Sequence, residues 1–329
     1  MSESIKAIVY EAHGKPEEVL RLEEQQLPRM GENEALVRIV AAPINPADLN
    51  QIEGKYPIRF PLPATPGFEG AGIVEEAGAK VQDLAVGAQV ILPHDLGTWR
   101  EKAVVAAEKL TVVPNDIAPE QAAMLKINPI TAWRLLHDFA RLEKGDWIIQ
   151  NAANSAVGRA VIVLARELGW RTVNVVRRAE LIEELRAAGG NVVLLDNDEL
   201  RGAVAETTNS APIRLGLNLV GGESALRMAK VVAAEATIVT IGAMSLRPLT
   251  MPNGLLIFKN LTFTGFWVNK WYEQASAEER RATFAQLIDL ARRGLLETKV
   301  ERAYSLSEFR EAVVRAGESK REGKILFRM

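Results

Sequence analysis

The sequence predicts an α/β protein: a doubly wound parallel sheet joined to a smaller, mostly β barrel. Three observations carry that expectation. Residues 145–178, GDWIIQNAANSAVGRAVIVLARELGWRTVNVVRR, read as strand, tight turn, helix and strand. From there to residue 265, β-branched runs alternate with segments of helical spacing, as in a parallel sheet with helices packed on it. Residues 1–122 instead hold short strands set apart by Gly, Pro and Asn, the pattern of a small, partly closed barrel.

The strand–turn–helix–strand segment organises the chain. Trp147, Ile148 and Ile149 form the apolar run of a buried parallel strand. Val157, Val161, Leu164 and Leu168 fall at helical spacing, Gly169 stops the helix, and Thr172 to Val176 form the second strand. Such a unit seats a dinucleotide on the helix N-terminus, where unpaired N–H groups meet a pyrophosphate. The G-x-G-x-x-G pattern is not kept; only Gly158 survives, and an ordinary crossover fits the turn equally well. The end of the second strand adds weight. An NAD enzyme carries Asp or Glu there, whereas this chain has Arg177 and Arg178, which suit a 2′-phosphate. One charged hydrogen bond of roughly 1.5–3 kcal/mol gives about a ten- to hundredfold preference for NADPH. Two solvated surface arginines are the competing reading.

In chain order, Lys6 to Tyr10 and Glu34 to Ala41 are the first strands. The stretch TPGFEGAGIVEEAG leads into a strand at Ile73 and Val74, and glycines so dense predict a bulge or close backbone approach. Val90 to Leu92 and Lys102 to Val105 follow. Residues 119 to about 140 are helical, broken in two at Pro129. After the opening unit come a helix over Glu180 to Ala188, strands at Val192 to Leu195 and Leu215 to Leu219, a helix over Glu223 to Ala233 and a strand at Thr237 to Ile241. Leu255 to Phe258 and Leu261 to Gly265 continue the strand series. Ala277 to Arg293 is an amphipathic helix ending at Gly294. A helix from Ser307 to Gly317 and a strand from Lys324 to Phe327 close the chain. Pairing of that last strand with the first domain makes the domain discontinuous: residues 1–122 with 295–329, around a Rossmann domain over 123–294.

Composition narrows the function. A chain of 329 residues, 48% hydrophobic, has material for two cores. A net charge of −2 argues against general nucleic-acid binding. The absence of cysteine removes disulfides, thiolate metal sites and thiol nucleophiles. His13, His94 and His137 lie far apart without ligand spacing, so no metal site is expected. No apolar run reaches membrane-spanning length, and the N-terminal residues lack a signal pattern, so a cytoplasmic protein with no membrane partner is expected. Arg280, Arg281, Arg292, Arg293, Lys320 and Arg321 read as solvated helix faces, with a coenzyme A phosphate or acidic carrier protein as the rival reading.

INPADLNQIEGKYP (44–57), NPITAWRLLHDFARLEKGDWIIQNAANSAVG (128–158) and LLIFKNLTFTGFWVNKW (255–271), with PGFEGAG, GTWREKAVV and the terminal GKILF, resemble the medium-chain dehydrogenase/reductase superfamily. More narrowly, they are similar to its trans-2-enoyl-thioester reductase branch of the mitochondrial type. The resemblance covers nearly the whole chain. It implies a GroES-like catalytic domain beside the Rossmann domain, NADPH as cofactor, and an enoyl-CoA or enoyl-ACP (acyl-carrier-protein) substrate reduced without zinc. Phe68 stands where the zinc enzymes have histidine, and the neighbouring Glu69 is left with a structural role. The resemblance also implies a homodimer.

The same resemblance assigns site residues. Tyr56 becomes the key side chain; its phenol, with a reference pKa near ~10, stays protonated at neutral pH. Packing of a loop aromatic on the surface is the plainer reading of Tyr56. Asn128 is matched to the asparagine beside the nicotinamide. Asn154, Ser155, Ala156 and Val157 are matched to the pyrophosphate turn, and Arg177 to the 2′-phosphate. The family often continues with Asp-Arg where this chain has Arg178-Ala179, which leaves the second phosphate ligand open. Ile241, Gly242, Ala243 and Met244 are matched to a loop over the cofactor. Phe266, Trp267 and Val268 are matched to a segment beside the nicotinamide and acyl pocket, with core packing as the rival role. Lys324 is matched to a terminal-strand lysine near the cofactor, against a solvated charge. Asn45 and Asp48 are expected to brace the Tyr56 loop.

Reduction of a conjugated thioester needs hydride at the β-carbon, a proton at the α-carbon, and donors for the charge that develops on the carbonyl oxygen. Two rivals stand beside that activity: an NADPH:quinone oxidoreductase of the same superfamily, and an NADPH-binding protein without turnover.

Overall fold

The computed structural model describes residues 3–319 and 321–329; Met1, Ser2 and Lys320, one of the basic residues named above, lie outside the described residues. The chain divides into two units, Met1–Ile127 with Ala285–Met329, and Asn128–Phe284.

The first unit opens with an antiparallel hairpin, β1 (Ser4–Val9) and β2 (Arg21–Gln26). β3 (Glu34–Pro43), β4 (Ala71–Ala77), β5 (Gln89–Ile91), β6 (Lys102–Ala106) and β7 (Thr111–Val113) follow. β3 is the spine. It pairs antiparallel with both β4 and β6, and its register to β4 slips at Leu36/Val37 and again at Ile39/Ala41. The glycine density has its cause here: a Cβ on Gly72 would fall 2.4 Å from Val37 Cγ1 and 2.7 Å from the Arg38 carbonyl. The helix Pro46–Ile52 leaves β3 directly.

The second unit begins with the helix Asn128–Asp138, which Pro129 starts rather than breaks; the preceding short helix is Pro119–Ala123. A proline near a helix start gives up an N–H that has no intrahelical acceptor anyway. The strands β8 (Trp147–Asn151), β9 (Arg171–Val176), β10 (Val192–Leu195), β11 (Ile213–Asn218), β12 (Thr237–Thr240) and β13 (Thr262–Gly265) form one parallel sheet in the order β10-β9-β8-β11-β12-β13. The chain runs outward from β8 to β10 and returns beside β8 at β11, so the order reverses between those two strands. Leu255 to Phe258 is not a strand: it lies in the helix Asn253–Lys259, with Ile257 and Phe258 exposed. A short unbroken apolar run carries no period to separate helix from strand.

The chain then returns to the first unit. β14 (Val300–Tyr304) pairs parallel with β15 (Lys324–Arg328), and β15 pairs antiparallel with β3. The resulting sheet has the order β14-β15-β3-β4-β5-β7, with β6 on β3. Trp99 and Phe327, both fully buried, meet edge to face at 5.1 Å between ring centroids in this unit's core.

Candidate active site

In the second unit, four of the matched segments follow parallel strands: 154–157 after β8, 177–178 after β9, 241–244 after β12 and 266–268 after β13. Topology alone therefore puts them at the carboxyl edge of the sheet, where open α/β sheets bind ligands near the point of strand reversal. Ala152 takes a positive φ of 47° to make the turn after β8. Ser155 caps the helix Ala156–Glu167, its Oγ accepting from the Gly158 N–H at 3.1 Å. Only glycine fits at 158, because a Cβ there would meet the Ala153 carbonyl at 2.5 Å. Arg177 is exposed, and Arg178 forms a 3.4 Å ion pair with Glu180.

The reversal point is pinned by neutral amides. Asn151 Nδ2 donates to Asn218 Oδ1 and to Ser224 Oγ, both at 2.9 Å, while Asn151 Oδ1 accepts the Leu219 N–H at 2.7 Å. Asn218 Oδ1 also accepts the Gly221 N–H at 3.0 Å. The 241–244 loop is tied down beside it. The Met244 N–H donates to the Leu219 carbonyl and Ser245 Oγ to that of Val220. Phe266 packs edge to face on Phe139, with centroids 5.8 Å apart. Val268 is buried, Trp267 is partly exposed, and Asn128 is half-buried as the first residue of its helix. An anion-ready helix start with the exposed Arg177 and the partly exposed Arg178 one strand away has the donor set that a dinucleotide with a 2′-phosphate needs.

In the first unit Tyr56 follows the helix Pro46–Ile52. Its N–H donates to the Asn50 carbonyl at 3.1 Å, and its half-buried ring lies 5.2 Å from that of Phe68. The Asp48 carboxylate holds both sides of this arrangement, accepting from the N–H of Asn45 at 2.6 Å and of Phe68 at 2.9 Å. The Asn45 side chain, at the helix N-cap, reaches buried charges. Its Nδ2 donates to Glu69 Oε1 at 2.8 Å, and its Oδ1 accepts from the Lys324 ammonium. Glu69 Oε2 takes the Ile127 N–H at 3.0 Å, and Lys126 Nζ donates to the Leu92 carbonyl at 2.6 Å. Asp48 and Glu69 are fully buried, and Asn45, Lys126 and Lys324 nearly so. Burial pushes the Asp48 carboxyl up to about 7, against its two backbone hydrogen bonds and Lys324, and raises Glu69. Burial likewise drives the Lys126 ammonium down to about 7 and lowers Lys324, with Glu69 opposing both. Among the described residues no group of three or more His, Cys, Asp or Glu is gathered so as to hold a metal ion.

Comparison with known proteins places this architecture. The family model of the alcohol dehydrogenase GroES-like domain matches residues 31–115, and that of the zinc-binding dehydrogenase matches 156–292. The mitochondrial enoyl-[acyl-carrier-protein] reductase of Xenopus tropicalis is 42% identical over 94% of this chain and 91% of its own length. The chain belongs to the enoyl thioester reductase branch of the medium-chain dehydrogenase/reductase superfamily. The solved Etr1p/NADP/crotonyl-CoA complex is similar at a TM-score of 0.91 and 28% identity, covering 99% of this chain and 100% of that one. A putative NADPH:quinone reductase from Bacillus thuringiensis reaches 0.93 and 30%, covering both chains entirely.

Within that family the cytoplasmic placement does not stand, because the enoyl reductase relatives, from Xenopus tropicalis to Homo sapiens, are named mitochondrial. A near-neutral, cysteine-free composition suits any aqueous compartment and never separated the two. Among the described residues no helix is long and apolar enough to cross a membrane. Lys324 is not a solvated charge; it is a buried member of the first unit's ion cluster. Lys126 and the Asn151–Asn218 pair escaped the sequence reading. The signal for Asn45 and Asp48 was present, since an Asn with Asp three residues on, around a proline, is a helix-start pattern. Lys126, inside the apolar run Met124-Leu125-Lys126-Ile127, was visible only as an interruption.

Proposed function

We propose that the chain reduces trans-2-enoyl thioesters to saturated acyl thioesters with NADPH, adding hydride at the β-carbon and a proton at the α-carbon. The observation that carries this reading is the likeness to enoyl-[acyl-carrier-protein] reductases along nearly the whole of both chains. Asn154, Ser155, Ala156 and Val157 hold the pyrophosphate at the helix N-terminus, and Arg177 and Arg178 hold the 2′-phosphate. Asn128, Phe266, Trp267 and Val268 line the nicotinamide, Ile241, Gly242, Ala243 and Met244 form the covering loop, and Lys324 reaches the cofactor from β15. The unit carrying these strand-end loops is the cofactor domain, and the unit carrying Tyr56 is the catalytic domain. Bound NADPH supplies the hydride. The Tyr56 phenol donates a hydrogen bond to the thioester oxygen as charge develops there, and its ring is kept in register by Phe68 and, through Phe68, by Asp48.

Enoyl-CoA and enoyl-ACP share the thioester and differ only in what carries the pantetheine arm, so we infer that both serve as substrates. We also infer a homodimer. β13 ends its sheet, and Ile257 and Phe258, on the preceding helix, are 68% and 85% exposed. The quinone reading has the Bacillus thuringiensis structure in its favour, at 30% identity against 42% for the enoyl-[acyl-carrier-protein] reductase of Xenopus tropicalis.

The test follows NADPH consumption by absorbance with crotonyl-CoA, longer enoyl-CoAs and a quinone. Turnover with the enoyl thioesters is expected, and turnover with the quinone alone would reverse the assignment. Tyr56→Phe should lower kcat about tenfold or more, the loss of one transition-state hydrogen bond of roughly 1.5–3 kcal/mol, and leave NADPH affinity unchanged. An unaltered kcat would remove Tyr56 from the mechanism.

A further inference from the structure

Glu69 takes no part in the chemistry above, yet both of its carboxylate oxygens are committed. Oε1 accepts from Asn45 Nδ2 at 2.8 Å, and Oε2 accepts from the N–H of Ile127, the residue before Asn128, at 3.0 Å. A side-chain amide has one donating and one accepting end. By claiming Nδ2, the carboxylate leaves Oδ1 as the end that Asn45 turns to the Lys324 ammonium, which donates to it. The reversed amide would set oxygen against carboxylate and N–H₂ against ammonium, two repulsive contacts in a site where all three side chains are more than nine-tenths buried. An ammonium has three donors, so the bond to Asn45 aims Lys324 and leaves it capacity for a ligand. Through this relay a carboxylate in the loop before β4 fixes a cation on β15.

We propose that Glu69 is a positioning residue for cofactor binding, acting through the orientation of Asn45 to hold the Lys324 ammonium where NADPH meets it; this rests on the assignment of Lys324 to the cofactor made above. A residue that merely supports the fold lowers stability without regard to Lys324. A relay acts only while Lys324 is there to be aimed.

A double-mutant cycle on the full chain separates these, with the dissociation constant of NADPH read from cofactor fluorescence. Glu69→Gln and Lys324→Met should each weaken NADPH about tenfold, the scale of one charged hydrogen bond. The double variant should bind no more weakly than Lys324→Met alone, because the two substitutions break one path. Losses that multiply to about a hundredfold in the double variant would overturn the relay, as would an unchanged constant in either single variant. Should Glu69→Gln fail to fold, Asn45→Ser keeps all four charges and cuts the same path, and the same non-additivity with Lys324→Met is expected. Because the readout is binding, failure of the unaltered protein to reduce enoyl thioesters falls on the functional reading. An unmoved constant in Glu69→Gln falls on the positioning one.

Discussion

In the second unit the buried polar side chains that tie β8 to its neighbours are mainly neutral amides, whereas in the first unit four ions are buried beside neutral groups such as Gln51, Gln89 and Thr98. Gln150, Asn151, Asn174 and Asn218 share hydrogen bonds along β8, β9 and β11, with Gln150 Nε2 reaching Asn174 Oδ1 at 2.7 Å. Asp48, Glu69, Lys126 and Lys324 are buried too, two of each sign, and the first, second and last of them are hydrogen-bonded to Asn45. Amides keep their geometry at any pH and lose a modest amount when one member is removed. Buried ions also need opposite charge nearby, so removing one leaves the rest less compensated. The sheet proposed to seat the cofactor is thus fixed by groups indifferent to protons, and the unit that carries Tyr56 holds groups that answer to them.

The largest effect should come from breaking the ion cluster. Glu69→Ala leaves Lys126 and Lys324 with Asp48 as the remaining carboxylate of the cluster, and should cost about 3–5 kcal/mol of unfolding free energy in urea titration. A loss under about 1 kcal/mol, within the range of an exposed pair, would mean that water already screens the cluster. The amide network supplies the contrast. Asn218→Ala removes the acceptor of the Asn151 amide and the Gly221 N–H and should cost about 1–3 kcal/mol by the same titration. If the two losses are equal, the distinction between ionic and neutral burial has no energetic content here.

The contrast between the units also explains what the sequence made legible. The parallel sheet announced itself because its strands are short apolar runs at regular intervals: β8, β9, β10 and β12 were expected within a residue or two of where they lie. β2 was invisible, since Arg21-Leu22-Glu23-Glu24-Gln25-Gln26 is mostly exposed and carries no apolar period. The strand-end loops were legible for the same reason as the strands, being local in sequence. The ion cluster was not, because its members come from positions 45, 48, 69, 126 and 324, and only the pairing of β15 with β3 brings the last to the first. A lone Lys or Glu in sequence reads as a solvated charge; burial is a property of the fold that no local pattern reports.

The effect that is smallest at each step, at most about 1.4 kcal/mol per pH unit for each proton, is also the one that separates the units most cleanly. Asp48 titrates near 3.8 when unfolded and about 7 when folded, so between those values the native state holds a proton that the unfolded chain has released, and stability falls as pH rises. Lys126 titrates near 10.5 unfolded and about 7 folded, so above 7 the unfolded chain holds the extra proton and stability climbs with pH. Glu69 and Lys324 are displaced in the same senses and deepen both arms. The first unit therefore contributes least near neutrality and more on either side. Urea titrations across that range should show the acid arm flattened in Asp48→Asn and the alkaline arm flattened in Lys126→Met. Asn218→Ala should lower the curve equally at every pH, because its loss involves no proton. Parallel curves for all three variants would show that the first unit's charges are not linked to folding, and the difference between the two units would reduce to one of residue type.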